Sequence, residues 1–343
     1  MKKTNLDIYQ LLHKFFEMQL PLYAKRSTST IINYKKSLNN FRQYLESTKG
    51  IPFTKISFDC FKKDMVYEYL VFLRDTKGNA TRTLNLRLAA LRSFISFCSE
   101  DNIELGTLYV ALKKIHNFKD TSKNKVEYLT ESQLKTIFST PEVDTVKGRR
   151  DRFFMIFAYE TGGRVQELLD MKLENISKNS DFYTVKLYGK GSKTRTIPLM
   201  PETVGHLERY IAEFHPDNNK NEYLFYTVHD DAKTQMKAGT VDSFLKRYAK
   251  IAHKKESDFP EGLHCHMFRH SIAMAMYKKG IPLSYIKDFL GHSSYESTKI
   301  YAYADDATIA EALKSVNHEH GDAKVNKKWK GSEEELLKYC GLL

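Results

Sequence analysis

Between residues 29 and 47 the apolar side chains of Ile31, Tyr34, Leu38, Phe41 and Leu45 recur at alternating steps of three and four, with Lys35, Lys36 and Arg42 falling elsewhere. That spacing lays one apolar stripe along a helix and predicts an amphipathic element. Met65, Tyr69, Leu70, Phe72 and Leu73 predict a second helix. Leu84, Leu88, Leu91, Ile95 and Cys98, opened at residues 79–81, predict a third, in which Arg82, Arg87 and Arg92 are interleaved. With a segment at residues 6–16 these make a bundle of about four helices.

Residues 117–125 (N-F-K-D-T-S-K-N-K) lose the period and read as a linker. Just beyond it, Thr130-Glu131-Ser132-Gln133 precedes Leu134, Ile137 and Phe138, the pattern of a capping box that opens a new helix. Residues 182–188 and 194–199 read as two strands around Gly189-Lys190-Gly191-Ser192-Lys193, a hairpin with a glycine-bearing turn. The rest reads as helical, with stops at Gly280 and Gly291. The expected class is mainly α with a small β-hairpin or sheet. The expected organisation is a helical bundle at 1–116, a linker at 117–127, a second domain at 128–316 and a tail at 317–343.

The 343 residues suffice for two domains at roughly 150 each. Charge is unevenly shared: residues 1–127 carry 22 Lys and Arg against 12 Asp and Glu, whereas residues 128–316 carry 27 against 25. A basic unit joined to a nearly neutral one suggests that the first grips a polyanion, although solvated lysine faces give the same excess. Lys35, Lys36, Arg82 and Arg87 are the candidate contacts in front. The longest apolar run, residues 153–159, falls far short of the roughly 20 residues of a membrane helix. No secretory signal pattern is visible, so the expected location is the cytoplasm, on the nucleoid when bound to DNA. Cys60, Cys98, Cys265 and Cys340 lie far apart without a C-x-x-C pair, which excludes a disulfide framework and a cysteine-rich zinc module.

Three clusters carry groups suited to a phosphodiester. In Thr161-Gly162-Gly163-Arg164-Val165-Gln166-Glu167-Leu168 one helix ends at the glycines and the next begins at an arginine, where a guanidinium and free amides can hold phosphate oxygens. The plainer reading of Arg164 is an ion pair with Glu167. In His264-Cys265-His266-Met267-Phe268-Arg269-His270 the three-residue step lets His266 and Arg269 reach one point. His266 and His270 also stand at a zinc-helix spacing beside Cys265, but no Glu follows the first His as a zinc protease requires. In the third, Leu290-Gly291-His292-Ser293-Ser294 places a histidine after a helix stop, and Tyr301 follows nine positions later.

T-G-G-R-V-Q-E-L, G-K-G-S-K-T-R, H-M-F-R-H and L-G-H-S-S with its tyrosine occur in that order across residues 128–316. In this the chain resembles the tyrosine recombinases, the phage integrase family that includes Xer and Cre proteins, and the front bundle resembles that family's core-binding domain in position and size. The resemblance implies that Arg164 and Arg269 bind the scissile phosphate with Lys190, His266 and His292 around it, that Tyr301 is the nucleophile and that Glu167 is a supporting acid. It implies His266 as the base; Lys190, the first lysine of the turn, is assigned as the donor to the leaving 5′-oxygen, with Lys193 the less favoured choice and otherwise a contact to the DNA backbone. No metal or cofactor is expected. The implied partners are duplex DNA with specific recombination sites, a homo-tetramer working through a Holliday junction, and accessory DNA-bending proteins. The implied activity is strand exchange by a mobile element's integrase or transposase. A type IB topoisomerase, a Xer-type dimer resolvase and a catalytically silent DNA-binding regulator are the alternatives.

Two departures from the family pattern stand out. Gly163 replaces an aliphatic residue, which predicts looser helix packing. The 42 residues after Tyr301 include a capping box at Ser332 and Glu335 ahead of Leu336, Leu337 and Tyr339. A helix that short needs a partner surface, on its own domain or on a neighbouring protomer.

Overall fold

The structure, a computed structural model, describes residues 3–100, 102–119, 126–179, 182–189, 193–230, 232–302 and 332–342. The chain divides into two compact units, Met1–Asn124 and Lys125–Leu343. In the first, α1 (Lys3–Lys14) runs on into a π-helical segment, Phe15–Tyr23, with Pro21 inside it. There follow α2 (Thr28–Lys49), α3 (Lys63–Asp75), α4 (Thr81–Cys98) and α5 (Ile103–Lys113). Leu38, Phe41 and Leu45 of the α2 stripe and all five predicted apolar positions of α4 are buried, around a nucleus of Phe15, Phe61, Tyr69 and Phe94. The bundle therefore has one helix more than its periodicity predicts. The α5 sequence I-E-L-G-T-L-Y-V-A-L-K is apolar on several faces and leaves no single stripe to read. Asn102 caps it, its Oδ1 accepting from the Glu104 amide at 2.9 Å.

One expected DNA contact is engaged within the bundle. Arg87 is half-buried and donates to Ser37 Oγ at 2.9 Å inside the bundle. Arg92 likewise turns inward, donating from Nε to the Leu112 carbonyl at 3.1 Å and also to the Ile115 carbonyl, so that it caps the end of α5. Lys36 and Arg82 are exposed, and Lys35 is exposed in an ion pair with Glu17 at 3.2 Å. The front of the expected linker is also tied down: Asn85 exchanges two hydrogen bonds with the Phe118 backbone, at 3.0 and 2.9 Å. At its far end Val126 packs against the small core that includes Met274 and Leu290, and residues 120–125 lie outside the described residues.

The second unit opens with α6 (Glu131–Phe138), capped as predicted: Thr130 Oγ1 accepts from the Gln133 amide at 3.2 Å and Gln133 Oε1 from the Thr130 amide at 3.0 Å. α7 (Val146–Thr161) is the central helix, with Phe153, Phe154, Met155, Phe157 and Ala158 all buried. After α8 (Val165–Leu169) come β1 (Ile176–Lys178), β2 (Tyr183–Tyr188) and β3 (Thr194–Pro198), one antiparallel sheet in which Val185 faces Ile197 and Leu187 faces Arg195. α9 (Pro201–Phe214) leads to a second hairpin, β4 (Tyr226–His229) and β5 (Ala232–Gln235), where only helix was expected. These short strands are largely exposed, so no alternation marks them. α10 (Ala238–Lys255), α11 (Cys265–Lys278), α12 (Leu283–Leu290), α13 (Glu296–Ala302) and α14 (Glu333–Tyr339) complete the unit.

Helices α11 to α13 share a small core of Ala273, Met274, Ile286, Leu290 and Tyr301. The predicted capping box of α14 is present, with Ser332 Oγ accepting from the Glu335 amide. Leu336 and Tyr339 on that helix are exposed. Among the described residues no helix is long and apolar enough to cross a membrane.

Candidate active site

The site begins where α7 stops. Gly162 takes a left-handed conformation (φ +55°) that ends the helix, and Gly163 turns the chain into Arg164, whose extended backbone caps α8. Packing at this turn is tight, contrary to the looseness predicted from Gly163. A Cβ at that position would stand 2.4 Å from Leu168 Cδ2, because Leu168 fills the space an aliphatic residue would take.

Glu167, buried, faces back on this turn and accepts from three donors. Its carboxylate takes the Arg164 amide at 3.0 Å, Arg164 Nη1 at 2.7 Å and Arg195 Nη2 at 2.7 Å. Burial pushes its carboxyl up, but the hydrogen bonds from Arg195 and from the Arg164 backbone, with the two positive charges, prevail and hold it below the ordinary value. The ion pair between Arg164 and Glu167 that sequence left open is thus present, and it leaves the Arg164 side chain about one-third exposed, at 35%.

Arg269 is buried to 1% exposure and donates from Nη1 to the Gly162 carbonyl and from Nη2 to the Leu290 carbonyl, both at 2.7 Å. These carbonyls end α7 and α12, where the helix dipoles are negative. One planar guanidinium therefore clamps two helix ends. Burial and the nearby Arg164 and Arg195 lower its pKa.

Three histidines surround this clamp. His266, at the rim in the first turn of α11, has its pKa lowered by desolvation and by Arg269 and Arg164. His292 follows Gly291, which ends α12 in a left-handed conformation (φ +65°), and its Nδ1 lies 2.9 Å from Thr298 Oγ1. Burial and the two arginines press its pKa down to about 3. His270 is half-buried, and its Nδ1 lies 3.0 Å from the hydroxyl of Tyr301. Burial, then His266 and Arg269, press its pKa down to about 4.

Tyr301 has no exposed surface, and burial raises its pKa to about 12 against the pull of Arg269 and Arg164. The base expected for it was His266. The imidazole that meets its hydroxyl is His270, and the His266 ring stands edge-on to His270 with centroids 5.5 Å apart. The step of four along α11 puts both histidines on one face, and Tyr301 approaches at the second. Cys265, read as a possible zinc partner of the two, is buried in the apolar core instead.

Lys190, Gly191 and Ser192 lie outside the described residues. The turn that carries them is closed by the Gly189 amide donating to the Lys193 carbonyl at 2.7 Å, with Lys193 exposed. It abuts the site, since a Cβ on Gly189 would stand 3.3 Å from Glu167 Oε1.

Sequence reasoning missed two residues, His270 as the partner of Tyr301 and Arg195 as the second arginine on Glu167. For Arg195 a signal existed. It shares a strand face with buried Ile197, between exposed Thr194 and Thr196, and an arginine in the apolar phase of a strand requires a buried acceptor.

The sequence profile of the Phage integrase family matches residues 127–308, and that of the phage integrase N-terminal SAM-like domain matches residues 13–101. The chain is 29% identical over 293 residues to the tyrosine recombinase XerD of Pseudomonas aeruginosa, covering 84% of this chain and 90% of that protein. It is also 29% identical over 285 residues to XerC of Staphylococcus carnosus, covering 82% and 89%. Its fold matches the XerH site-specific recombinase in a post-cleavage complex with its difH substrate, with TM-score 0.67 and 22% identity over 91% of this chain and 89% of that one. It also matches the Tn1549 transposon integrase in complex with transposon right end DNA, with TM-score 0.64 and 18% identity over 90% and 98%. The chain belongs to the phage integrase family and is a tyrosine recombinase, an enzyme that breaks and rejoins DNA.

Proposed function

We propose that Tyr301 cleaves one DNA strand by attacking the scissile phosphorus, forming a 3′-phosphotyrosine and releasing a 5′-hydroxyl. The ester is exchanged rather than hydrolysed, so the reverse attack by a 5′-hydroxyl from a second duplex rejoins the strand without an external energy source. The observation that carries this reading is geometric: α11 carries both Arg269, bonded to the Gly162 and Leu290 carbonyls, and His270, whose Nδ1 lies 3.0 Å from the Tyr301 hydroxyl, so that one helix holds the phenol and a fixed guanidinium in the same site. The guanidiniums of Arg269 and Arg164, fixed by Gly162, Leu290 and Glu167, stabilise the charge that develops on the nonbridging oxygens. His266 and His292 line the phosphate's other sides, and Lys190 protonates the leaving 5′-oxygen.

Tyr301 is buried against His270, so attack requires the seven residues of α13 to shift and the phenol to exchange that partner. In this reading His266 receives the phenolic proton once Tyr301 has moved to the phosphate.

The partner is duplex DNA bearing recombination sites, supported by the DNA complexes of XerH, the Tn1549 integrase and the lambda integrase. Lys36, Arg82 and Lys193 are exposed and suited to phosphate contacts, and exposed Lys35 can exchange Glu17 for a phosphate. Four protomers on two duplexes exchange strands in pairs through a Holliday junction. Accessory bending proteins assist assembly, and α14 docks on a neighbouring protomer. The outcome is integration, excision or transposition of a mobile element. Resolution of chromosome dimers is the second reading, favoured by the identity to XerD and XerC.

The test uses nicked duplexes tiled across the DNA flanking the gene, together with a randomised pool. Tyr301→Phe loses the covalent protein–DNA species and keeps DNA binding. Covalent linkage that survives the substitution refutes the assignment. A plasmid with two sites separates recombination from relaxation, which needs no paired sites.

A further inference from the structure

Arg195 belongs to the G-K-G-S-K-T-R motif, yet no role in the reaction falls to it. It stands on β3, one strand residue beyond Thr194, and its side chain is nine-tenths buried, 10% exposed. Nη2 donates to Glu167 Oε2 at 2.7 Å, while Oε1 of the same carboxylate takes Arg164 Nη1. One carboxylate thus spaces two guanidiniums, and the pose of Arg164 depends on both ends of it.

On its other side Arg195 lies against Gly291, where a Cβ would meet Nη1 at 3.1 Å and Cδ at 3.2 Å. Gly291 already needs its left-handed backbone (φ +65°) to end α12. The space its missing side chain leaves is filled by the arginine, directly before His292. Among the described residues Arg195 Nε is buried without an acceptor.

We propose that Arg195 is a positioning residue for strand cleavage: through Glu167 it aims Arg164 at the scissile phosphate, and through its contact with Gly291 it holds the His292 turn against β3. The strand bearing the Lys190 turn, the α7–α8 turn and the α12–α13 turn are thereby set by one side chain. A lysine in its place keeps the charge but loses the planar fork that reaches both sides. This inference rests on the reading of Arg164 as a phosphate ligand.

The test is single-turnover formation of the covalent adduct at saturating DNA. It compares the full chain, Arg195→Lys, Arg195→Met and Arg164→Ala on the nicked duplex that the wild-type chain cuts. Each is assayed with an ordinary scissile phosphodiester and with a methylphosphonate in its place. The methylphosphonate lacks the charge on the nonbridging oxygen, so the aim of Arg164 no longer matters. Arg195→Lys is expected to slow cleavage of the phosphodiester about 10²-fold and of the methylphosphonate by less than about threefold. Equal slowing on both substrates by Arg195→Lys, with Arg164→Ala unequal, overturns the role of Arg195 alone. Equal slowing by Arg164→Ala overturns the reading of Arg164 and this inference with it. If Arg195→Met fails to fold, Arg195→Lys carries the test. For that variant the Glu167 carboxyl, followed by 13C NMR without DNA, must titrate at a higher pH than in the wild type. An unchanged titration contradicts the geometry.

Discussion

The hydroxyl of Tyr301 and Nδ1 of His270 share a hydrogen bond of 3.0 Å, in a place that leaves the tyrosine no exposed surface. The bond joins α11, which carries Arg269, to α13, which carries the phenol. The proposed nucleophile is thus sheltered in this structure, with its pKa raised by burial against the pull of Arg269 and Arg164. In the proposed reaction, cleavage begins by breaking this contact.

Removing one partner of that bond leaves a buried polar group without its mate, which costs roughly 1–3 kcal/mol. Removing both is cheaper than the sum. His270→Ala and Tyr301→Phe should therefore show a coupling of about 0.5–3 kcal/mol in a double-mutant cycle read by urea unfolding. Strict additivity would mean that the two side chains do not meet in solution.

Acid should weaken the fold through the same histidines. His270 and His292 are held at about 4 and about 3 in the folded chain, against an ordinary value of 6.5 that the unfolded chain regains. Below 6.5 the unfolded state binds more protons, so stability falls as the pH drops toward the folded values. His292→Gln removes one of these groups, and its urea midpoint should decline less steeply than that of the wild type between pH 7 and 4.5. Parallel declines would contradict the shift at His292.

Most of the fold was legible because its helices carry single apolar stripes and named caps, as at Leu38, Phe41 and Leu45 or at Thr130 and Gln133. α5 and the β4–β5 hairpin were not, since one is apolar on several faces and the other mostly exposed. At the site, Arg164, Arg269, Glu167, His292 and Tyr301 could be picked out by the order and spacing of the motifs. The partner of Tyr301 could not, because which of two histidines on one helix face meets a phenol 31 residues away depends on how α13 packs. The hydrogen bond of Arg87 was illegible for a related reason. A cation on a basic helix looks the same in sequence whether it faces solvent or Ser37.

The turn at Gly163 admits no side chain while Leu168 stays in place. Gly163→Ala brings a Cβ to 2.4 Å from Leu168 Cδ2 and should destabilise the chain by about 1–3 kcal/mol. Combining it with Leu168→Ala, which opens the space, should cost less than the two single changes together. Chemical denaturation of the four proteins decides this, and a cost equal to the sum would contradict the packing.

Arg269 clamps the carbonyls of Gly162 and Leu290 with two nitrogens of one plane, which a lysine ammonium cannot reproduce. Arg269→Lys should lower the single-turnover rate of adduct formation about 10²–10³-fold at saturating DNA. An unchanged rate would show that charge alone, and not the clamp, is what the reaction uses.

The most direct measurement is the identity of the residue linked to DNA. The wild-type chain is trapped on a nicked duplex that it cuts, digested with protease, and the nucleotide-bearing peptide is sequenced by mass spectrometry. The account predicts a 3′-phosphate ester on Tyr301, within the peptide Ile300-Tyr301-Ala302. An ester on Tyr303, or cleavage with no covalent peptide at all, would contradict it.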